Sequence, residues 1–320
     1  MLKEFEKNKV DLHLHLDGSL PLSAIPKLAK MSGVSLPDTS WETMFSLPQG
    51  CRSLVDYLKC FDVPGQLLQT EECISFACKQ LLMELYADHV TLAEIRFAPQ
   101  LHKKRGLSGP QIVQAAVDGM NKALACCDGM KAGLILCMMI GGSETENRET
   151  VELAHQFLGK GVIALDVAGA EGMVPAEDFD PMFIRAKELG VPFTIHAGEC
   201  GSFEHVDHAL DLGAGRIGHG VASIYSQETI NRLVKTQVPL EICVTSNLQT
   251  LAVGEKEIHP VKKLLDLGVC VTINTDNMTV SGTSLSKEYE LLIKEYGLTE
   301  EHLLKVQENA RKATFIKQKL

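Results

Sequence analysis

The chain has 320 residues, with 31 Lys+Arg against 41 Asp+Glu, a formal net charge of −10, and 45% hydrophobic and 22% charged residues. That balance is an ordinary globular one, and the length suffices to bury one large core without staples. The negative charge argues against nucleic acid or an acidic membrane surface as partner, and the longest basic cluster, Lys103-Lys104-Arg105, reads as a solvated loop.

The opening MLKEFEKNKVDLH carries no apolar signal-peptide region, and the longest apolar run, Gly133–Ile140, is too short to span a bilayer. The expectation is a cytoplasmic protein. Its ten cysteines fit this, read as reduced and hydrophobe-like. None stands in C-x-x-C spacing, which removes zinc ribbons, thioredoxin-like motifs and the cytidine-deaminase metal signature.

Val10–Leu16 reads as the first strand. The stretch from Leu20 to Ala87 is too long for one crossover and carries helical patterns at Leu22–Met31, Ser53–Phe61 and Glu71–Tyr86, so a helical insertion is expected there. Strands then recur at Val90–Phe97, Gly133–Ile140, Val162–Ala168, Pro192–His196, Arg216–His219, Leu240–Val244 and Val269–Thr275. Helix-period segments separate them at Ser108–Cys127, Glu146–Leu158, Asp180–Leu189, Ser202–Leu212, Gln227–Lys235 and Pro260–Leu267. Gly159, Gly190, Gly213 and Gly268 stand just past helices, where a left-handed residue ends them. Eight strands alternating with helices predict an α/β fold: a single (β/α)8 TIM-type barrel domain over residues 1–320, with the insertion at about 20–87 after the first strand. An open doubly wound sheet is the competitor, but no G-x-G-x-x-G follows an early strand.

His13 and His15 are two apart on the first strand and therefore share a face. Two adjacent imidazoles are poor core fillers and good metal ligands, although two separately satisfied histidines would give the same spacing. His196, His219 and Asp276 each end a further strand, on the rim where barrel enzymes place their chemistry. Convergence of four strands on one rim favours a metal site. His13, His15, His196 and Asp276 would supply three nitrogens and one oxygen, leaving room for a water. Zinc is favoured, with iron or cobalt as alternatives. No lysine lies on Val162–Ala168 to bridge a second metal, so one metal per chain is expected.

Glu199, three residues past His196, suits a general acid, or else a carboxylate at a helix N-terminus. His219 would orient or deprotonate the metal-bound water, or be a hydrogen-bonded rim residue. Other groups point to structure. His205 and His208 read as a solvated helix face, His259 before Pro260 as a turn or cap, and Glu94 with Arg96 as an inward ion pair. Cys200 lacks the His–Asn setting of a catalytic thiol.

The segments D11-LHLHLDGS-L20, A93-EIRFA-P99, D166-VAGA-E171, H196-AG-E199, G218-H-G220, Ser246-Asn247 and Thr275-Asp276 together resemble the adenosine deaminase family of metal-dependent barrels through most of the chain. The resemblance implies zinc on His13, His15, His196 and Asp276, with Glu199 protonating purine N1. Zinc-bound hydroxide, assisted by His219, would add at C6, and ammonia would leave. His15 and Asp17 (on a ribose hydroxyl), the Gly169 N–H and Asn277 would bind substrate. Leu54, Tyr57, Leu58 and Phe61 would form an apolar lid, and are equally explained as helix core. Better-known members carry two adjacent aspartates where this chain has Asp276-Asn277. An asparagine can donate to purine N7 without being protonated, so binding should survive with a different pH dependence.

The expected activity is hydrolytic deamination of adenosine and 2′-deoxyadenosine, with a small purine nucleoside as partner. Adenine or a modified adenine nucleoside is the alternative substrate. A nucleotide is disfavoured because no basic cluster follows the first strand. The reading from another class is a catalytically silent nucleoside-binding barrel, which usually lacks a ligand or the acid.

Overall fold

Every strand of the sheet is parallel to its neighbours, so each return crossing must be made by helices outside it. The computed structural model describes residues 3–37, 40–47, 51, 53–200, 202–254 and 257–316. β1 (Lys9–His15) leads into the insertion, which contains α1 (Ile25–Ser32), α2 (Leu54–Leu58), α3 (Asp62–Leu67) and α4 (Glu71–Ala87). Residues 38–39, 48–50 and 52 of the expected insertion lie outside the described residues.

Strict alternation follows: β2 (Val90–Phe97), α5 (Gly109–Leu124), β3 (Lys131–Met139), α6 (Glu144–Phe157), β4 (Val162–Ala168), α7 (Asp180–Glu188), β5 (Thr194–Ala197), α8 (Phe203–Asp211), β6 (Arg216–His219) and α9 (Gln227–Thr236). The last units are β7 (Leu240–Ile242), α10 (Val244–Gln249), α11 (Val261–Asp266), β8 (Val271–Ile273), α12 (Met278–Ser281), α13 (Leu285–Tyr296) and α14 (Glu300–Ala313).

The strands form two runs, β1-β2-β3-β4 and β5-β6-β7-β8. One seam is bridged at Leu165 and Phe193, with the Leu165 N–H donating to Pro192 O at 2.9 Å. The other is bridged at Leu14 and Asp276, where His15 N–H donates to Asp276 O (2.7 Å) and Asp276 N–H to His13 O (2.8 Å). These two seams make the barrel. The second seam brings two candidate ligand strands into direct backbone contact.

Local chemistry explains the helices. Ser143, Ser202, Ser226 and Ser284 cap helix starts through their side chains, and the four C-terminal glycines named above all have positive φ. Gly119 lets α5 press against α4, since a Cβ there would lie 2.2 Å from Ser75 O. Expected strands and helices agree with the observed ones to within a few residues. The main departure is at Val244, which starts α10 instead of ending β7, because the chain turns into a helix as soon as it clears the sheet.

The barrel interior below the strand ends is ionic. Glu94, Arg96, Asp166, Arg216 and Glu241 are all fully buried. Glu94 and Arg96 both point inward as expected, but they do not pair with each other. Residues two apart on a strand are separated by about 7 Å along it, so cross-strand partners are nearer. Arg96 binds Asp166 (2.6 Å) and Glu241 (2.9 Å), whereas Glu94 binds Arg216 (2.7 Å). At the opposite end from the rim, Thr314 Oγ1 and Phe315 N donate to Glu94 Oε1, and the Phe315 ring lies 3.9 Å from the Arg216 guanidinium carbon.

Candidate active site

The strand ends bring His13, His15, His196, His219 and Asp276 together. Ligand atoms of His13, His15 and Asp276 lie within 4.8 Å of one another, as do those of His13, His196 and His219. His15 Nε2 is 3.3 Å from His196 Nε2 and 3.4 Å from Asp276 Oδ1. His13 Nδ1 is 2.8 Å from Glu241 Oε2, and His196 Nδ1 is 2.9 Å from Asp166 Oδ2. The carboxylate bonded to His13 Nδ1 puts the proton there and leaves the Nε2 lone pair free, the usual preparation of a metal-ligating histidine, whereas Asp166 stands beside His196 Nδ1 without completing a hydrogen bond. His13 Nε2, fully buried, has no hydrogen-bond partner among the described residues. Burial holds His15 and His219 well below the ordinary histidine pKa, so both rings are neutral.

Charge points the same way. Asp166, Glu241 and Glu94 bind the buried guanidiniums of Arg96 and Arg216, and Asp276 stands beside the imidazoles, so within this group of six the carboxylates exceed the guanidiniums by two. A divalent cation beside the imidazoles would balance that excess. The residues therefore fit a metal. His219 and Asp276 both have φ of 60°, backbone strain of the kind found at functional sites.

Glu199 is buried, with Oε2 at 3.7 Å from His219 Nε2. Burial, with the charges of Asp276 and Glu171, pushes its carboxyl up to about 8, so it is protonated at neutral pH. Its backbone is held by Glu171, whose carboxylate accepts the N–H groups of Gly198 (2.6 Å), Glu199 (2.7 Å) and Cys200 (2.7 Å). His205 Nδ1 joins the same carboxylate at 2.7 Å, while His208 pairs with Asp180 at 2.8 Å. Neither is a freely solvated face residue. They diverge because each has its own acid.

These groups open onto a cavity of about 230 Å³, whose walls include Asp17, Gly169, Asn277 and the insertion residues Leu54, Tyr57, Leu58 and Phe61. Burial pushes Asp17 up to about 6. Tyr57 OH pairs with Ser281 Oγ at 2.6 Å and ties the insertion to α12. Cys137 and Met139 of β3, which sequence reasoning did not single out, also line the cavity. Residues 8–320 match the family model described as adenosine deaminase.

The chain belongs to the adenosine deaminase family. Members are hydrolases acting on C–N bonds. An adenosine deaminase of Haemophilus ducreyi is 46% identical over 297 residues, covering 91% of this chain and 86% of its own length. Among solved structures, the adenine deaminase of Arthrobacter aurescens is similar with a TM-score of 0.85 and 27% identity, covering 97% of this chain and 94% of its own. Arabidopsis ADAL complexed with IMP gives 0.85 and 26%, covering 98% and 93%.

Sequence reasoning gave no role to the carboxylates behind the candidate ligands, Asp166 and Glu241, or to Glu171 and Asn247, although Asp166, Glu171 and Asn247 lie in segments that carry the resemblance. The first two carried a signal: each is a lone acid in an otherwise apolar strand, VIALDVA and LEI.

Proposed function

We propose that this chain holds one zinc ion on His13, His15, His196 and Asp276 and hydrolyses adenosine and 2′-deoxyadenosine to the inosines and ammonia. The observation that carries this is a buried carboxyl, Glu199, lining the same cavity as a convergent three-histidine, one-aspartate cluster. Zinc bound there would supply a water nucleophile activated at neutral pH.

The protein's own groups do the rest. Glu199 donates its proton to purine N1, which draws electron density from C6 and lowers the barrier to attack. His219 faces the oxygen that attacks C6. Gly169, with φ of 121°, turns its backbone N–H to the purine edge. His15 and Asp17 contact the nucleoside, Asp17 at a ribose hydroxyl, and the Asn277 amide donates to N7.

Size and charge select the substrate class. A cavity of about 230 Å³ falls just below the range of about 300–1,000 Å³ for small-molecule sites and suits a single nucleoside. Among the described residues, no lysine or arginine lines it, so those residues offer a phosphate no counter-charge, which favours nucleosides over nucleotides. The adenine deaminase fold neighbour makes the free base the alternative substrate. The test is ammonia release by metal-replete protein from adenosine, 2′-deoxyadenosine, adenine and AMP, with and without a chelator. Chelator-sensitive turnover of the nucleosides is expected. Turnover of adenine or AMP alone would reassign the substrate, and nucleoside binding without turnover would support the silent barrel.

A further inference from the structure

His259 does more than start a helix. Its Nδ1 does accept the Val261 N–H at 3.1 Å, as a turn or cap residue would. Its other nitrogen, Nε2, lies 3.3 Å from Asn247 Oδ1, and Asn247 Nδ2 lies 2.9 Å from His219 Nδ1. All three side chains are buried, at 2%, 0% and 1% exposure for His259, Asn247 and His219, so water does not compete for these bonds.

The polarity of the chain is fixed at its outer end. A backbone N–H can only donate, so His259 Nδ1 accepts and is unprotonated. Burial pushes the His259 pKa down to about 3, so the ring is neutral and its single proton sits on Nε2. That proton needs an acceptor, and Asn247 Oδ1 is the one in reach. The amide is thereby oriented, and its NH₂ must donate to His219 Nδ1. Turning the amide over would set a donor against the His259 proton. His219 Nδ1 is then an acceptor, and the proton of the neutral ring is on Nε2, the atom that faces Glu199.

We propose that His259 is a positioning residue that, acting through Asn247, holds His219 in the Nε2-protonated tautomer, so that His219 meets the reacting oxygen as a hydrogen-bond donor. This rests on the reading of His219 given above and narrows it. With Nδ1 filled and Nε2 protonated, the ring has no lone pair to take a proton from the cavity. It orients the attacking oxygen and stabilises charge developing on it.

Two substitutions separate this role from capping. In His259→Asn the amide oxygen stands where Nδ1 was and keeps the Val261 N–H, but nothing reaches Asn247. In His259→Gln the amide nitrogen stands near the former Nε2 and keeps the donor to Asn247, while the cap is lost. With adenosine as substrate, kcat of the Gln variant should stay within about threefold of wild type. The Asn variant should lose about tenfold or more in kcat, the worth of one buried hydrogen bond, with little change in KM. ¹⁵N-histidine NMR of the zinc-loaded protein should show His219 protonated on Nε2 in wild type and the Gln variant, and a tautomer mixture in the Asn variant. If the Gln variant does not fold, Asn247→Asp serves. With no donor left at that position, the His219 proton should move to Nδ1. The proposal is overturned if wild-type His219 carries its proton on Nδ1, if the Asn variant is the more active of the two, or if both variants behave alike. Should the wild type turn over no purine, the proposed function fails while the NMR still decides the tautomer.

Discussion

Replacing Glu241 with glutamine tests whether the charge layer beneath the rim prepares the proposed metal ligands. Its Oε2 accepts from His13 Nδ1 (2.8 Å) and Arg96 (2.9 Å), and its Oε1 from Arg216 (2.5 Å) and Thr194 (3.2 Å). Every partner is a donor, so a glutamine NH₂ faces donors whichever way it turns. If it faces His13, Nδ1 must become an acceptor and the proton moves to Nε2, removing the lone pair a metal needs. The substitution also takes one carboxylate from two buried guanidiniums. Breaking a buried pair of this kind costs about 3–5 kcal/mol. At about 2.1 cal/mol/K per residue, 320 residues convert that into a fall in Tm of about 4–7 °C. Loss of the carboxylate behind a ligand histidine lowers metal affinity by about 10–100-fold. Melting of the metal-free protein and zinc titration against a competing chelator read the two effects separately. A variant that matches wild type in both would refute the reasoning.

Glu199→Gln should keep nucleoside binding while lowering kcat by about 10²–10⁴. Because burial, aided by the Asp276 and Glu171 charges, raises the Glu199 carboxyl to about 8, its acid form is present below that pH and lost above it. The wild-type kcat/KM should fall as pH rises through about 8, and a level profile well beyond it would exclude Glu199 as the proton donor. In Gly18→Ala the new Cβ would lie 1.8 Å from Asn277 Oδ1 and 2.6 Å from its Cγ. Asn277 must swing away, so KM for adenosine should rise about tenfold, the worth of one hydrogen bond, and an unchanged KM would show that Asn277 does not touch substrate. Asn277→Asp places a titrating group at the same position, and the pH–activity curve should change shape. Superimposable curves for the variant and wild type would remove that argument.

The barrel was legible because its signals are local. Apolar runs at regular spacing, helix-period stretches between them and glycines at helix ends all lie within a dozen residues of one another. The rim was legible for the same reason, since His13, His15, His196, His219 and Asp276 each lie at or within three residues of the C-terminal end of a strand. What escaped was pairing across strands. Glu94 and Arg96 look like partners in sequence, but each reaches a neighbour on another strand. Spacing of three suggested one role for His205 and His208, yet each answers to a different acid, Glu171 in the loop after β4 and Asp180 at the start of α7. His259 was assigned from its neighbour Pro260, and its second nitrogen could not be placed without the fold. Leu285–Tyr296 and Glu300–Ala313 carry ordinary helix period and caps at Ser284 and Thr299, but counting strand–helix units stops before them. Val244–Gln249 and Met278–Ser281 are too short to show a period.

The seam between β1 and β8 has a consequence for biosynthesis. His13 and His15 are synthesised more than 250 residues before Asp276, whose backbone brackets them, and before Phe315, which covers the inner charge layer. A nascent chain that has not reached β8 leaves two imidazoles and a row of carboxylates without their complement, so it has no high-affinity place for a metal. If the metal sits where proposed, a chain truncated before residue 271 lacks the Asp276 ligand and should bind zinc more weakly than the full chain.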